Sequence, residues 1–149
     1  MIVIISNEQS DLSVDTSQIE KIATQVVKEE GITSNEVYIY LVDTLTICQL
    51  HKDYFEDPTP TDCISFPMDL DEGSEYAVLG EVFVCPKTAI RYANEHQMDP
   101  YEETTLYIVH GLLHLMGYDD IQDHDRQEMR MAEKRHMDKL RKSGLILVS

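Results

Sequence analysis

Cysteine is scarce in this chain: its 149 residues include only Cys48, Cys63 and Cys85. Because the number is odd and no two of them form a C-x-x-C pair, the pattern argues against a structural zinc knot and against a secreted, disulfide-linked protein. We expect three reduced thiols in the core. With 42% hydrophobic residues, a chain of this length can bury a core without disulfides, and we expect a single domain over residues 1–149.

Long apolar runs are absent as well. The apolar residues 1–5 are not preceded by basic residues and are too few for the core of a signal peptide. No later run approaches the roughly 18 apolar residues of a membrane-spanning helix. We therefore expect a cytoplasmic protein that has no membrane partner.

Basic side chains are few, since 12 Lys and Arg stand against 28 Asp and Glu, a net charge of -16. This balance is unfavourable for binding nucleic acid, because phosphate affinity comes largely from Lys and Arg. The basic residues are concentrated, however: residues 126–149 hold seven of them and only three acidic residues. Any nucleic-acid contact is expected there, through Arg126, Arg130 and Lys134. The alternative is a solvated helix face whose cations suit the helix dipole.

Apolar periodicity predicts strands and helices that do not alternate regularly. Short runs rich in β-branched and aromatic residues predict strands at residues 2–5, 37–42, 63–66 and 79–85. We expect the first strand to be buried and the last two to form a hairpin across the loop at 69–75. Helical spacing predicts helices from Ser17 to Gly31, through residues 45–50 and 89–93, from Asp99 to Met116, and from Asp125 onward. The mixture indicates an α+β fold, with a small mixed β-sheet packed against helices.

The segment from His110 to Asp120 has the frame H-x-x-x-H-x-x-G-x-x-D. Two histidines four residues apart project from one face of a helix, and Gly117 can adopt the left-handed conformation that ends it. The turn can then deliver Asp120 as a third ligand. The frame predicts a zincin-like metal-binding helix that holds one zinc ion per chain through His110, His114 and Asp120. His124 is an alternative third ligand.

Three protein ligands leave one position on zinc open, where a bound water can become a nucleophile at neutral pH. The frame therefore indicates hydrolysis of an ester or phosphodiester. Metallopeptidases of this type carry a Glu directly after the first His as a general base, whereas this chain has Gly111 there. The substitution argues against a peptidase.

Three carboxylates are candidates for catalytic roles. Asp119 is expected to orient a metal ligand. Asp62 and Glu81, at two predicted strands, are expected to line the cleft beside the metal, where Glu81 can accept a proton from the bound water. The alternatives are a turn cap for Asp62 and an ordinary exposed strand carboxylate for Glu81. The histidines without a spacing partner, which we expect to be exposed, are His51, His96 and His136.

Three segments in order resemble the YbeY family of bacterial metal-dependent endoribonucleases. They are TDCISFP at residues 61–67, LGEV at 79–82 with the following Cys85-Pro86, and HGLLHLMGYD at 110–119. The resemblance covers the chain from about residue 40 to about residue 125. It implies a zinc-bearing α+β fold like that of metalloproteases and hydrolysis of single-stranded RNA.

The resemblance also implies a biological role and two departures from the family pattern. The role is 16S rRNA 3′-end maturation and ribosome quality control, with rRNA, small-subunit ribosomal proteins and an assembly GTPase as partners. The family's third His falls on Asp120, which makes the ligand set harder and more anionic. The family's phosphate-binding Arg falls at or near Phe55, and Lys52 is only a weak substitute. These departures keep a second hypothesis open: a non-catalytic ribosome-assembly factor stabilised by its metal.

Overall fold

The computed structural model of the chain describes residues 1–68 and 75–149. Nearly all of the predicted loop at 69–75 lies outside the described residues. In chain order the elements are β1 (Ile2–Glu8), α1 (Thr16–Glu29), β2 (Glu36–Val42), α2 (Thr44–Phe55), β3 (Cys63–Pro67), β4 (Val78–Val84), α3 (Pro86–His96), α4 (Pro100–Leu115) and α5 (Asp123–Lys142).

The four strands form one mixed sheet in the order β1-β2-β4-β3. β1 runs parallel to β2 and β2 parallel to β4, whereas β3 pairs antiparallel with β4. The predicted hairpin and the predicted α+β class with a small mixed sheet are therefore confirmed. The expectation that the first strand is buried is wrong. β1 is an edge strand, and it exposes 59% of Ile2 and 39% of Ile4, while Val3 and Ile5 pack against the core.

Helix α4 lies at the centre of the molecule, against β3, β4, α1, α3 and α5. Its residues Val109, Leu112 and Leu113 are fully buried, as its apolar circumference predicts. A Cβ added at Gly111 would collide with the side chain of Val82 in β4, so glycine lets the helix lie directly on the sheet. The second face of the sheet carries a smaller apolar cluster with α2, around Ile47 and Phe83.

Two helix starts differ from their predicted positions. Asp15, not Ser17, caps α1: its carboxylate accepts hydrogen bonds from the backbone and the hydroxyl of Ser17, at 2.9 and 2.7 Å. Helix α5 starts at Asp123, with Gln122 as its cap residue, two positions before the predicted Asp125. In both places several neighbouring polar residues could serve as the N-cap. The path along which the chain enters the helix decides which of them does so.

Two other predictions concern α4 and the thiols. Asp99 caps α4 as predicted, since its carboxylate accepts from the backbone N–H of Tyr101 at 2.9 Å. The three cysteines are free: Cys85 is buried, and Cys48 and Cys63 are half-buried. Within residues 1–68 and 75–149, no helix combines the length and the apolar character that crossing a membrane requires.

Candidate metal centre

The two histidines of α4 point their Nε2 atoms at one another, 3.1 Å apart. Their rings stand nearly perpendicular, with centroids 4.6 Å apart. The helix ends after Leu115, and Gly117 adopts a φ of 100°, the left-handed conformation that glycine accepts readily. The chain turns back at this glycine and brings Asp120 Oδ2 to 3.7 Å from His110 Nε2 and 3.5 Å from His114 Nε2.

This triangle fits a tetrahedral metal ion. Bonds of about 2.0–2.1 Å to one ion place its ligand atoms about 3.3 Å apart, and the observed sides of 3.1, 3.5 and 3.7 Å bracket that value. The structure therefore brings together the three predicted ligands, His110, His114 and Asp120, as a group that can hold a metal. Two imidazoles and one carboxylate suit zinc and also other divalent transition ions.

His124 does not complete the triangle. It lies in the first turn of α5, where 79% of its side chain is exposed and its Nε2 is 3.1 Å from Glu128 Oε1. The structure thus leaves the alternative third ligand outside the group that can hold a metal. Because α5 already begins at Asp123, His124 is part of this helix.

The Nδ1 atom of each of the two histidines also has a hydrogen-bond partner. His110 Nδ1 lies 3.2 Å from Glu133 Oε1, and His114 Nδ1 lies 3.1 Å from the carbonyl oxygen of Tyr118. Since both partners are acceptors, each Nδ1 carries the proton and each Nε2 keeps its lone pair for the metal. This arrangement supports the ligand assignment independently of the triangle.

Glu133 is a site residue that sequence reasoning missed. It comes from α5 and is 5% exposed. A signal was present, because Met129, Glu133, Met137 and Leu140 share the buried stripe of α5, so the acid interrupts an apolar face. Burial lowers the pKa of His110, but the hydrogen bond to Glu133 and the negative charges of Asp62, Glu133 and Asp120 raise it more. The same negative surroundings favour a bound cation.

The turn after α4 is anchored from behind by Glu30, which follows α1. Its carboxylate accepts from the Tyr118 hydroxyl at 2.6 Å and from Arg135 at 2.9 Å, and it lies 2.8 Å from His136 Nε2. The expectation that His136 is exposed is wrong, since it is 1% exposed and pairs with this carboxylate. The contacts fix the backbone that holds His114.

A cleft of about 500 Å³ opens beside the candidate ligands. This volume lies in the range of about 300–1,000 Å³ that is usual for small-ligand sites. Its walls come from the end of α2, from β3 and from the turn after α4. The described residues that line it are His51, Phe55, Thr61, Cys63, Ile64, Ser65, Pro67, His114, Gly117, Tyr118, Asp119, Asp120 and Ile121.

Two of the predicted catalytic carboxylates lie near the ligands and bond to the backbone. Asp62 accepts a hydrogen bond from the backbone N–H of Cys63 at 2.7 Å. Burial lowers the pKa of His110, and the charge of Asp62 joins the hydrogen bond to Glu133 in raising it. Asp119 accepts from the N–H of Asp120 at 2.7 Å. Asp119 therefore shapes the turn that presents Asp120, which agrees with an orienting role exerted through the backbone.

Glu81 lies on the other face of the sheet. Its neighbour Val82 faces α4, because it pairs with Ser65, whose hydroxyl donates to the carbonyl of Gly111 at 3.0 Å. Side chains alternate between the two faces along a strand. Glu81 therefore faces away from the histidines, and its carboxylate interacts with the Tyr40 hydroxyl. The expectation that Glu81 lines the cleft is corrected, and its alternative as an ordinary strand carboxylate agrees with this position.

The basic residues of α5 start beside the metal centre. Arg130 lies 3.4 Å from Glu133, the partner of His110. Arg126 forms an ion pair with Asp123 in the preceding turn, and Lys134 is exposed. Half of the Arg126 side chain and 74% of the Arg130 side chain remain exposed, so this face is available to a ligand.

Comparison with known proteins identifies the family. The family described as Endoribonuclease YbeY matches residues 4–141 of the chain. The chain belongs to this family. A relative named Endoribonuclease YbeY from Protochlamydia amoebophila is 60% identical, over 99% of each chain. Another of that name from Chlamydia trachomatis serovar D is 38% identical, over 88% of this chain and 83% of its own.

The fold comparison agrees with the family. The solution structure of TM1509 from Thermotoga maritima matches with a TM-score of 0.65 and 26% identity, over 93% of this chain and 89% of that chain. The predicted family membership is thereby confirmed.

Phe55 marks the point at which the resemblance indicates a lost family arginine. It is the last residue of α2, lines the cleft and is 56% exposed. Lys52, one turn earlier, is exposed and is not among the described residues that line the cleft. The cleft is therefore apolar at this position, and Lys52 does not line it.

Proposed function

We propose that the chain is a metal-dependent endoribonuclease, specific for single-stranded RNA, that acts in 16S rRNA 3′-end maturation and ribosome quality control in the cytoplasm. The observation that carries the proposal is the triangle of His110, His114 and Asp120 at the cleft, in a member of the endoribonuclease YbeY family. We propose zinc, one ion per chain, because two imidazoles and a carboxylate at tetrahedral spacing suit it.

Zinc, when bound, supplies a Lewis acid and lowers the pKa of water, and this is the chemistry that phosphodiester hydrolysis needs. The chain's own residues hold that ion in place. Glu133 and the Tyr118 carbonyl fix the ring orientations of His110 and His114. Asp119 holds the backbone N–H of Asp120, so all three candidate ligands are oriented by a neighbouring group before a metal arrives.

The surroundings of Gly111 favour RNA over a peptide as substrate. A peptidase of this frame needs a carboxylate directly after the first histidine. Here that position faces the sheet, where a Cβ would meet Val82 and the hydroxyl of Ser65. The site therefore lacks both the general base of a peptidase and the space for one.

The shape of the cleft supports single-stranded RNA. A space of about 500 Å³ is large enough for an unpaired nucleotide and far smaller than a segment of duplex. The exposed ring of Phe55 at the rim offers a face on which a base can stack, a contact worth roughly 1–3 kcal/mol in single-strand binding. We propose that Arg126, Arg130 and Lys134 bind the RNA phosphates that extend beyond the cleft.

The experiment that tests the proposal compares wild type with His114→Ala on unstructured and on duplex RNA, with and without a chelator. We expect internal cleavage of the unstructured RNA by wild type, a loss of activity in His114→Ala and in chelator, and slow cleavage of the duplex. His124→Ala is the matched control, because it removes an exposed histidine outside the triangle. Elemental analysis of the same samples should give about one zinc per chain for wild type. Activity that persists in His114→Ala and in chelator would contradict the proposal.

A second candidate function is that of a non-catalytic, metal-stabilised assembly factor that binds small-subunit ribosomal proteins and an assembly GTPase. The observation that favours it is Phe55 at the cleft, together with the net charge of -16. The same assay separates the two functions: this candidate predicts that zinc raises the melting temperature of wild type while no preparation cleaves RNA.

A further inference from the structure

A third histidine lines the same cleft as the candidate ligands. His51 lies near the end of α2, is half-buried, and contacts the ring of Phe55 at 5.7 Å between centroids. It shares the cleft with His114 and Asp120. No other histidine lies at helical spacing from it, and we therefore expected it to be exposed. That expectation is wrong, because the turn at residues 57–60 folds back over it.

The hydrogen bond of His51 determines which of its nitrogens is free. Nδ1 lies 2.8 Å from the carbonyl oxygen of Thr59. A carbonyl only accepts, so Nδ1 carries a proton and donates it. Nε2 is then the nitrogen that can gain and lose a proton, and it is not used in this contact. The bond also holds the ring at the cleft wall.

The other cleft groups are poor proton donors near neutral pH. Thr61 and Ser65 are hydroxyls engaged with Asp62 and with the Gly111 carbonyl, and alcohols are very weak acids. Burial and the charges of nearby carboxylates raise the pKa of the Cys63 thiol well above its ordinary value. Asp119 accepts a hydrogen bond from the backbone N–H of Asp120, and Asp120 belongs to the metal triangle.

The remaining polar groups are already committed. His114 presents its Nε2 to the metal triangle and its Nδ1 to the Tyr118 carbonyl. The Tyr118 hydroxyl points to Glu30. Among the described residues that line the cleft, His51 is therefore the imidazole that is not a candidate metal ligand and whose Nε2 is not used in its hydrogen bond to Thr59.

We propose that His51 donates the proton that the leaving oxygen needs when the RNA phosphodiester is hydrolysed. The inference rests on the proposed endoribonuclease function. The oxygen of a water molecule forms a bond to phosphorus and releases one of its protons to solvent, while the bond from phosphorus to one ribose oxygen breaks. The electron pair of that bond goes to the ribose oxygen, which takes the proton from His51 Nε2 and leaves as a hydroxyl group. Solvent returns a proton to the neutral imidazole.

The position of His51 suits this role. It lines the same cleft as the candidate ligands His114 and Asp120, so a phosphate bound in this cleft would be within the space that both the metal site and His51 border. The titratable groups that face it are Asp57 of the adjoining turn and, across the cleft, His114, Asp119 and Asp120. Any of these can contribute to a pH profile, so the test must isolate His51 by substitution.

His51→Asn is the informative variant, because the amide nitrogen of Asn can take the place of Nδ1 against the Thr59 carbonyl while nothing replaces Nε2. His96→Asn is the matched control: His96 makes the same contact, with Nδ1 2.9 Å from the carbonyl of Tyr92, on an exposed part of α3. Two substrates are compared with zinc-loaded enzyme. Unstructured RNA has a poor leaving group, and bis(p-nitrophenyl) phosphate has a good one that departs without a proton.

We expect His51→Asn to lower kcat on RNA by about 100-fold, as loss of a general acid does, and to change kcat on the aryl ester by less than about twofold. A general acid gives an alkaline decline in the rate on RNA, and this decline should be present in wild type and absent from His51→Asn. His96→Asn should match wild type in every measurement. Zinc content should be equal in the three proteins.

Two results would overturn the inference. One is an equal loss on both substrates, especially with a lower melting temperature, since it means that His51 only supports the turn at residues 57–60. The other is an unchanged rate on RNA with an unchanged pH profile. Neither result affects the proposed function, which fails instead if wild type itself shows no cleavage that a chelator abolishes.

Discussion

The two walls of the cleft are built differently. The first wall, α4 and the turn after it, is held by groups from distant elements: Glu133 of α5 bonds to His110, and Glu30 after α1 bonds to Tyr118. The second wall, the end of α2 and β3, carries more open side chains, and Phe55 is 56% exposed. The first wall is part of the core, whereas much of the second is surface.

This difference separates the placement of the metal from the fit of the substrate. A substitution behind the first wall should alter stability or metal affinity, because the same contacts serve both. A substitution on the second wall should alter turnover while the fold and the metal remain. The predictions below test this separation, from the largest expected effect to the smallest.

The largest effect is expected from Glu30→Gln. Removing one charge from a largely buried ion pair typically costs 3–5 kcal/mol, and we expect about 3 kcal/mol at pH 7 because Arg135 is half-exposed. Urea unfolding measures the loss. Glu29→Gln is the control, since its partner Lys139 and the carboxylate itself are exposed, and it should change stability little. Equal effects of the two variants would contradict the anchoring role of Glu30.

The same residue predicts an acid-sensitive stability. Burial raises the pKa of Glu30. Hydrogen bonds from Tyr118, His136 and Arg135 together lower it by more than burial raises it, so the pKa falls below the ordinary 4.5. A lowered folded-state pKa stabilises the fold fully above the unfolded pKa, and this contribution is lost as pH falls through the folded-state value. Wild type should therefore lose more stability than Glu30→Gln between pH 7 and the region below 4.5. Parallel acid profiles would show that Glu30 does not contribute.

The second prediction concerns Glu133→Gln. Loss of the carboxylate that orients a metal-binding histidine typically lowers metal affinity by about 10–100-fold. We expect that reduction for zinc, measured by competition with a chelating dye. Glu128→Gln changes an exposed glutamate five residues earlier on α5 and should leave the affinity unaltered. If the two variants bind zinc equally well, the contact with His110 has no orienting function.

The third prediction concerns the second wall. Phe55→Arg should raise kcat on unstructured RNA by about tenfold, because a guanidinium at the cleft stabilises charge on the phosphate in the transition state. Zinc affinity and melting temperature should not change. Tyr54→Arg adds the same charge at an exposed neighbour that packs on Phe66, outside the residues that line the cleft, and should give a smaller increase. An equal gain in both variants would indicate a general charge effect.

The smallest effect is expected from replacing Arg126, Arg130 and Lys134 together by Gln. Each phosphate contact on a single strand contributes about 0.7 to the slope of log affinity against log salt, so three contacts predict a slope reduced by about 2. Binding to unstructured RNA over a series of salt concentrations measures this slope. Lys87→Gln with Arg91→Gln on α3 is the control. An unchanged slope would show that α5 is a solvated face, as the alternative interpretation holds.

Contacts that are short in sequence were predictable. The spacing of His110 and His114, with Gly117 after them, predicted the ligand triangle because helix geometry and a left-handed glycine act over a few residues. The Asp99 cap of α4 was predictable for the same reason. The family resemblance added RNA as substrate, which no local pattern in the chain indicates.

Contacts that are long in sequence were not predictable. Glu30 meets His136 across 106 positions, and Glu133 meets His110 across 23, and no periodicity connects such pairs. The prediction that Glu81 lines the cleft failed for a related reason. Alternation along a strand shows which residues share a face, but packing decides which face α4 covers. The prediction that β1 is buried failed because an apolar run does not reveal that its strand lies at the edge of the sheet.

The closeness of α4 to the sheet at Gly111 limits how this fold can change its chemistry. The carboxylate of a peptidase cannot be acquired here by a single substitution, because a glutamate at this position would first have to push the helix away from Val82 and Ser65. That movement would carry both histidines with it and dismantle the ligand triangle. Gaining the peptidase carboxylate in this chain therefore requires a coordinated shift of helix and sheet rather than one substitution.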